Sequence, residues 1–388
     1  MKLLKNHFLS ALVLVLVAAA LRFILVSYSD AEFGLGVRLV TILVIFSLGA
    51  AYVLQGAANI VEETTNILSK RTKLAGGFLQ SFGTAFPDMA LGVAAAFISL
   101  RFSTSDPAKA IHFAVIAAAT TFGSNIFNIA HAVWCVFRQN TANALGKALS
   151  MFPFTKRGGM VTPMRDHAVK PSLKEIDVAM DIANLLTVLT AGVALSMVLF
   201  GKVTSPHASI DGDLYRLIKP VSLVIFVAAA FILYSSRKTH RPESPIEEIA
   251  AEEQYFEKKS NIVIWLYLFL AGAAILLAAD SMVRALESFS EITGLPYIIA
   301  GVFSGIIGCL GEIMVVHSYT VNPKGRIGDA IVGVALDNVV TILGASLVGL
   351  IGGIFLGGNA LIMIFVIIFV LNSALMWQMS KLKNFFLR

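Results

Sequence analysis

GTAFPDMALG, residues 83–92, sets a proline and an acid inside a stretch that is otherwise apolar from Leu74 to Leu100. One such stretch could be a buried core helix, but this chain has many. Hydrophobic residues make up 57% of its 388 residues and charged residues only 14%, with a mean hydropathy of +0.80, well beyond the range of soluble domains. Apolar runs of about 20 residues, the length that crosses roughly 30 Å of hydrocarbon as a helix, fall near 7–28, 35–60, 74–99, 110–137, 176–200, 217–236, 260–286, 296–321, 328–352 and 358–380. Lipid offers no partner to backbone N–H and C=O groups. Runs of this length therefore fit helices rather than the short alternating strands of a membrane barrel. The expected fold class is an all-α polytopic membrane protein with about ten transmembrane helices.

The formal net charge of +6 does not call for nucleic acid, because the basic residues sort by side. With a cytoplasmic N-terminus, most of the 30 Lys and Arg, among them Lys70, Arg71, Lys73, Arg138, Lys156, Arg157, Arg237, Lys238, Lys324, Lys381 and Lys383, fall on inner loops and termini. Arg38, Arg101, Lys109, Lys202, Arg216, Lys219 and Arg284 fall outside, and Arg22 lies within the first run. This bias predicts an integral protein of the cell's inner (plasma) membrane with both termini cytoplasmic. The two cysteines, Cys135 and Cys309, sit in apolar segments and indicate neither a disulfide framework nor a cysteine metal cluster. The first run is expected to stay as a helix, a signal peptide being the alternative.

Two polar stretches divide the chain: 138–175, rich in Lys, Pro and Gly, and 236–259, which holds RKTHRPESPIEEIAAEEQYFEKK. The second is a charged linker, with a helical pattern from Glu247 to Glu257, and the natural hinge between two halves. An internal repeat supports that division. GAAYVLQGAANIV from Gly49 and GAAILLAADSMVR from Gly272 are separated by the same interval, to within one residue, as Asp88 and Glu312. Five runs separate equivalent positions, so the second copy crosses in the opposite sense. Inverted repeats of this kind place a substrate site near the midplane, where the halves meet. The expected organisation is an extra N-terminal membrane helix or signal anchor over 1–34, a first repeat over 35–236, a cytoplasmic linker over 237–259 and a second repeat over 260–388.

Asp88 and Glu312 each lie near the middle of an apolar run, where an ionised carboxylate costs several kcal/mol unless it is paired or faces water. Neither run offers an intramembrane Lys or Arg. Pro87 removes the donor that would serve the Gly83 carbonyl. In SGIIGCLGEI of the second half, Gly305, Gly308 and Gly311 stand in for the proline; such glycines suit an opened helix or a close helix contact. The run after Asp88 carries TTFGSNIFNIA, with Ser124 and Asn128 one turn apart on one face. Its counterpart GVALDNVVTILG carries Asp337 and Thr341 at the same spacing, with Asn338 beside them. Carboxylates, amide oxygens, hydroxyls and freed carbonyls form a hard oxygen set, which suits Ca²⁺ with its 6–8 oxygen ligands and, by the same logic, Na⁺, and which argues against zinc or copper.

GGFLQSFGTAFPDM, residues 76–89, resembles the first signature of the calcium/cation antiporter superfamily, which includes the sodium/calcium exchangers, and FGSNIFNIA resembles that family's next helix. In the second half GIIGCLGEIM keeps the acid but has Gly311 where proline is usual, and ALDNVVTILG keeps the outline of the partner motif. The resemblance spans about residues 35 to 350. It implies two inverted five-helix repeats and a cation site that carries over to Thr84, Asp88, Ser124, Asn128, Glu312, Asp337 and Thr341, with Asn338 in place of Asp337 in a register shifted by one. Ala85, Gly308 and Cys309 fall where the family has hydroxyls, so the counter-ion, Na⁺ or H⁺, stays open. The expectation is an antiporter that exchanges Ca²⁺ for one of them by alternating access. It would be no enzyme and would need no cofactor, with inorganic cations and the lipid bilayer as its partners. A passive channel or a transport-inactive member is the alternative. The oligomeric state is not legible. An intramembrane aspartyl protease would need GxGD and YD settings, which neither Asp88 nor Asp337 has.

Overall fold

A computed structural model of the chain describes residues 7–29, 32–72, 78–167, 171, 173–200, 213–239, 255–322, 327–351 and 358–387. The described part of each of the ten apolar runs falls on helix. The first is α1 (His7–Ala20), prolonged by a π-helical turn and a 3₁₀ turn to Ser29. The second is α2 (Leu35–Leu48), which runs through a π-helical turn at Gly49–Leu54 into α3 (Gln55–Thr72). Then follow α4 (Phe78–Phe102), α5 (Pro107–Leu145), α6 (Leu173–Phe200), α7 (Asp213–Thr239), α8 (Asn261–Thr293), the pair α9 (Tyr297–Gly308) and α10 (Leu310–Val321), α11 (Ile327–Ile351) and α12 (Gly358–Leu387). Among the described residues, seven helices are long and apolar enough to cross a membrane, or eight if the bent α9–α10 pair counts as one span; Lys219–Ser235 within α7 is a shorter apolar helix. The chain is therefore an all-α protein with the length and apolarity of a polytopic membrane protein.

The most enclosed helices are α5 and α11, with 72% and 78% of their apolar windows inside the protein against 33% for the two N-terminal spans. α5 packs on α4, α9, α10, α11 and α12, and α11 packs in turn on α4 and α7. α1, α2 and α3 lie against α8, and α3 lies against α4 as well. There the expected lone intramembrane base, Arg22, finds an acid outside both signature runs: it pairs with Asp280 of α8, which also accepts from Arg284 Nε at 3.0 Å.

α5 has 39 residues, so at 1.5 Å per residue it is about 58 Å long, well beyond a hydrocarbon core. It starts where the Asp106 side chain accepts from the Lys109 amide ahead of Pro107, and ends at Gly146 in the left-handed region. Its last turns thus occupy part of the polar stretch 138–175. The rest is no plain loop: β1 (Leu149–Phe152) and β2 (Thr155–Val161) form an antiparallel hairpin with Leu149 opposite Val161 and Phe152 opposite Thr155. Of the charged linker, 240–254 and with it most of the predicted helix from Glu247 lies outside the described residues. Its end docks on α3, where Arg71 donates to the Lys259 carbonyl and to Asn261 Oδ1, both at 2.7 Å, and Glu63 accepts from the Phe256 amide at 3.2 Å. Arg71 and Lys259 thus meet at one end of the bundle.

Candidate functional site

The two signature runs meet where their sequence breaks fall. α4 is continuous through Pro87. In the second half the helix does break: α9 ends at Gly308, Cys309 leaves helical geometry with φ −92° and ψ 6°, and α10 starts again, bent by 53°. Glu312 thereby lies in the first turn of a new helix, where unpaired N–H groups and the positive end of the helix dipole favour a carboxylate.

The glycines of SGIIG serve close contact as well as the break. A Cβ on Gly308 would stand 2.8 Å from Asp88 Oδ1 and 3.0 Å from Asp88 Cα. One on Gly305 would stand 2.5 Å from the Thr120 carbonyl oxygen and 2.6 Å from the Ser124 amide, and one on Gly301 2.6 Å from Ala119 Cβ. α9 therefore lies backbone to backbone along α5 and ends against the acid of α4. The sequence pattern allowed this contact but could not name its partner.

Around that crossing the carboxylates gather. Ser124 Oγ donates to Asp88 Oδ2 in a short hydrogen bond, and also lies 2.9 Å from the Thr121 carbonyl. Asn128 Nδ2 donates to Glu312 Oε2 at 2.5 Å, tying α5 to α10. Asp337, on α11, and Asp88 both lie in the neighbourhood of Glu312. Asp88, Ser124, Asn128, Glu312, Asp337, Asn338 and Thr341 are all buried. Asp88 Oδ1, Glu312 Oε1, Asn128 Oδ1, Asn125 Oδ1 and Asn338 Oδ1 are buried oxygens that accept no hydrogen bond among the described residues. Neither Asp88 nor Glu312 forms an ion pair among the described residues. The side chain of Thr84 lies outside the described residues, although its backbone is in α4.

The predicted set is thus brought together at Asp88, Ser124, Asn128, Glu312 and Asp337. Asn338 and Thr341 lie buried on the same helix as Asp337, so both registers of the second-half motif stay within α11. Of the three positions without a hydroxyl, Ala85 and Cys309 are fully buried, and Gly308 is where Asp88 needs the space.

No family model and no curated relative matches this chain. Its fold has a solved counterpart. The chain is similar to the protein in a structure titled "Structure of native YfkE", with a TM-score of 0.53 at 13% identity, over 99% of this chain and 100% of that one. At that identity the likeness concerns the path of the chain and leaves the site chemistry to the residues above.

Sequence reasoning also missed a grouping. No His or Cys cluster was expected, yet His131 and Cys135 of α5 and His317 of α10 place their ligand atoms within 4.8 Å of one another. The signal was present as the spacing HAVWC, which sets His131 and Cys135 one turn apart on the face that Asn128 begins.

Proposed function

We propose that this chain is a secondary active antiporter of the calcium/cation antiporter superfamily, which exchanges Ca²⁺ for Na⁺ or H⁺ by alternating access between two inverted repeats of about five helices. The reading rests on one observation above the others: the buried carboxylates Asp88 and Glu312 each use one oxygen for an α5 side chain and leave the other without a partner. Buried charge without a paired base has to be neutralised. A Ca²⁺ ion held by Asp88 Oδ1, Glu312 Oε1, Asn128 Oδ1 and oxygens from α11 would do so, and so would Na⁺ or protons on the same groups. The two occupancies compete, and that competition is what couples opposite fluxes. The first repeat would supply α4 and α5, the second α9, α10 and α11, and the halves would rock about this contact in the membrane. Nothing in the set calls for a bond-making step or a cofactor; the partners are cations and lipid.

Reconstitution in proteoliposomes tests this. An outward Na⁺ or H⁺ gradient should drive Ca²⁺ uptake, and which gradient works identifies the counter-ion. Asp88→Asn and Glu312→Gln should each abolish uptake while keeping the fold, as read by thermal unfolding. Uptake that survives both substitutions overturns the site. Flux that ignores both gradients and does not saturate makes the protein a passive channel, and no uptake at all makes it transport-inactive.

A further inference from the structure

The group formed by His131, Cys135 and His317 lies outside the oxygen set and differs from it in kind. His131 and Cys135 come from one face of α5, three and seven residues after Asn128, and His317 comes from α10, five residues after Glu312. Cys135 Sγ is 3.4 Å from His131 Nε2. In a tetrahedral zinc centre, with Zn–S about 2.3 Å and Zn–N about 2.0–2.1 Å, sulfur and nitrogen ligands stand about 3.6 Å apart, so this pair is already near ligand spacing. His317 Nε2 lies 2.8 Å from the Gly158 carbonyl oxygen. A carbonyl only accepts, so Nε2 carries the proton and Nδ1 keeps the lone pair. A backbone carbonyl that orients an imidazole in this way is the usual outer partner of a metal-ligating histidine.

The surroundings suit a closed, soft site. Cys135 is fully buried and the two imidazoles are half-buried. Their rings stack at 5.6 Å, and the Phe152 ring stacks on His317 at 5.7 Å. Phe152 and Gly158 both belong to the hairpin β1–β2, which thus covers α10 and fixes the His317 tautomer. This is work that a mere connecting loop would not need to do.

We propose that His131, Cys135 and His317 bind a soft divalent transition metal of the zinc class, with a fourth position left to water. Two imidazoles and a thiolate select such a metal over Ca²⁺ or Mg²⁺. On binding, Cys135 loses its thiol proton to the solvent and its sulfur forms the metal bond. The bound ion bridges α5 to α10 next to the Asn128–Glu312 hydrogen bond. Resting on the antiporter reading, it acts as a brake, because it clamps an element of one repeat to an element of the other.

The purified full chain titrated with Co²⁺, a spectroscopic stand-in for Zn²⁺, should develop the visible bands of a tetrahedral centre and a near-ultraviolet sulfur-to-cobalt charge-transfer band, both erased by Zn²⁺. Cys135→Ser should remove the charge-transfer band. His131→Ala and His317→Ala should each weaken binding by roughly tenfold or more. Zn²⁺ should also raise the unfolding temperature of the parent but not of Cys135→Ser, a readout that holds even if a histidine variant folds poorly. No charge-transfer band, or a band that persists in Cys135→Ser, overturns the site. In proteoliposomes Zn²⁺ should slow Ca²⁺ exchange by the parent and leave Cys135→Ser unaffected. Equal inhibition of both overturns the brake, whereas a chain with no Ca²⁺ exchange but an intact cobalt spectrum keeps the metal site and loses the antiporter.

Discussion

The two signature runs hold an acid inside the protein by different means. On α4, Asp88 follows a proline in a helix that does not break, and its charge meets the hydroxyl of Ser124. Between α9 and α10 the helix does break, and Glu312 receives the opened N-terminus of α10 together with the amide of Asn128. Proline can stay in a helix at the cost of one hydrogen bond, since the ring fixes φ at a helical value. Glycines three apart carry no such constraint, and here the helix is interrupted at Cys309, between α9 and α10. The half with proline thus offers a rigid carboxylate, and the half with glycine offers a carboxylate backed by a helix dipole. The halves share a plan without sharing its chemistry.

The sharpest way to break the comparison is to fill the glycine ladder. Gly305→Ala would put a methyl group 2.5 Å from the Thr120 carbonyl oxygen and 2.6 Å from the Ser124 amide. Both are backbone atoms and cannot turn aside. The cost should reach about 3 kcal/mol, the upper part of the overpacking range, seen as a lower unfolding temperature, and α9 should move off α5 with loss of Ca²⁺ uptake. An unchanged unfolding temperature would mean that α9 does not lie on α5 as described.

Pro87→Ala works in the opposite direction. An alanine would return an N–H to the Gly83 carbonyl in a helix that is continuous already, so thermal stability should rise by about 2 kcal/mol, somewhat less than the full penalty of an interior proline. If the variant is instead destabilised, Pro87 is needed for the shape of α4 and the first half resembles the second more closely than its continuity suggests.

How much of this was legible in the sequence depended on the range of each contact. Helices, and the acids within them, follow from local patterns: apolar length gives the runs, and GTAFPD and GCLGE mark the places where a helix holds something other than lipid. Ser124 and Asn128 were legible because they lie one turn apart on one helix. The contact of Gly308 with Asp88 was not, because it joins residues far apart in the chain and a small residue says only that something comes close. Arg22 was a basic residue in search of an acid, and the acid, Asp280, stood inside a repeat string rather than in a signature. The hairpin at 149–161 was hidden in a stretch whose Lys, Pro and Gly read as loop. His131, Cys135 and His317 were overlooked because the third member comes from the other half.

The smallest expected effects separate the two carboxylates most finely. The Ser124 hydroxyl has one proton and two acceptors in reach, Asp88 Oδ2 and the Thr121 carbonyl. A helical carbonyl is already served by its own helix, whereas Asp88 has no other donor among the described residues, so the proton belongs to the carboxylate. Ser124→Ala should therefore cost about 1–2 kcal/mol and should weaken Ca²⁺ binding by removing a candidate ligand as well. Cys309→Ser gives the complementary case. Its thiol lies 3.5 Å from the Ile306 carbonyl and is fully buried, so a hydroxyl of similar size can keep the same partner, and stability should change by less than about 1 kcal/mol. What should change is ion preference, because a hydroxyl oxygen would then stand where the helix opens beside Glu312. If Cys309→Ser lets an outward Na⁺ gradient drive more Ca²⁺ uptake than the parent achieves, the second half lacks sodium ligands rather than a sodium path. If it alters neither stability nor ion preference, position 309 faces away from the ion, and the oxygens that complete the site come from α11 alone.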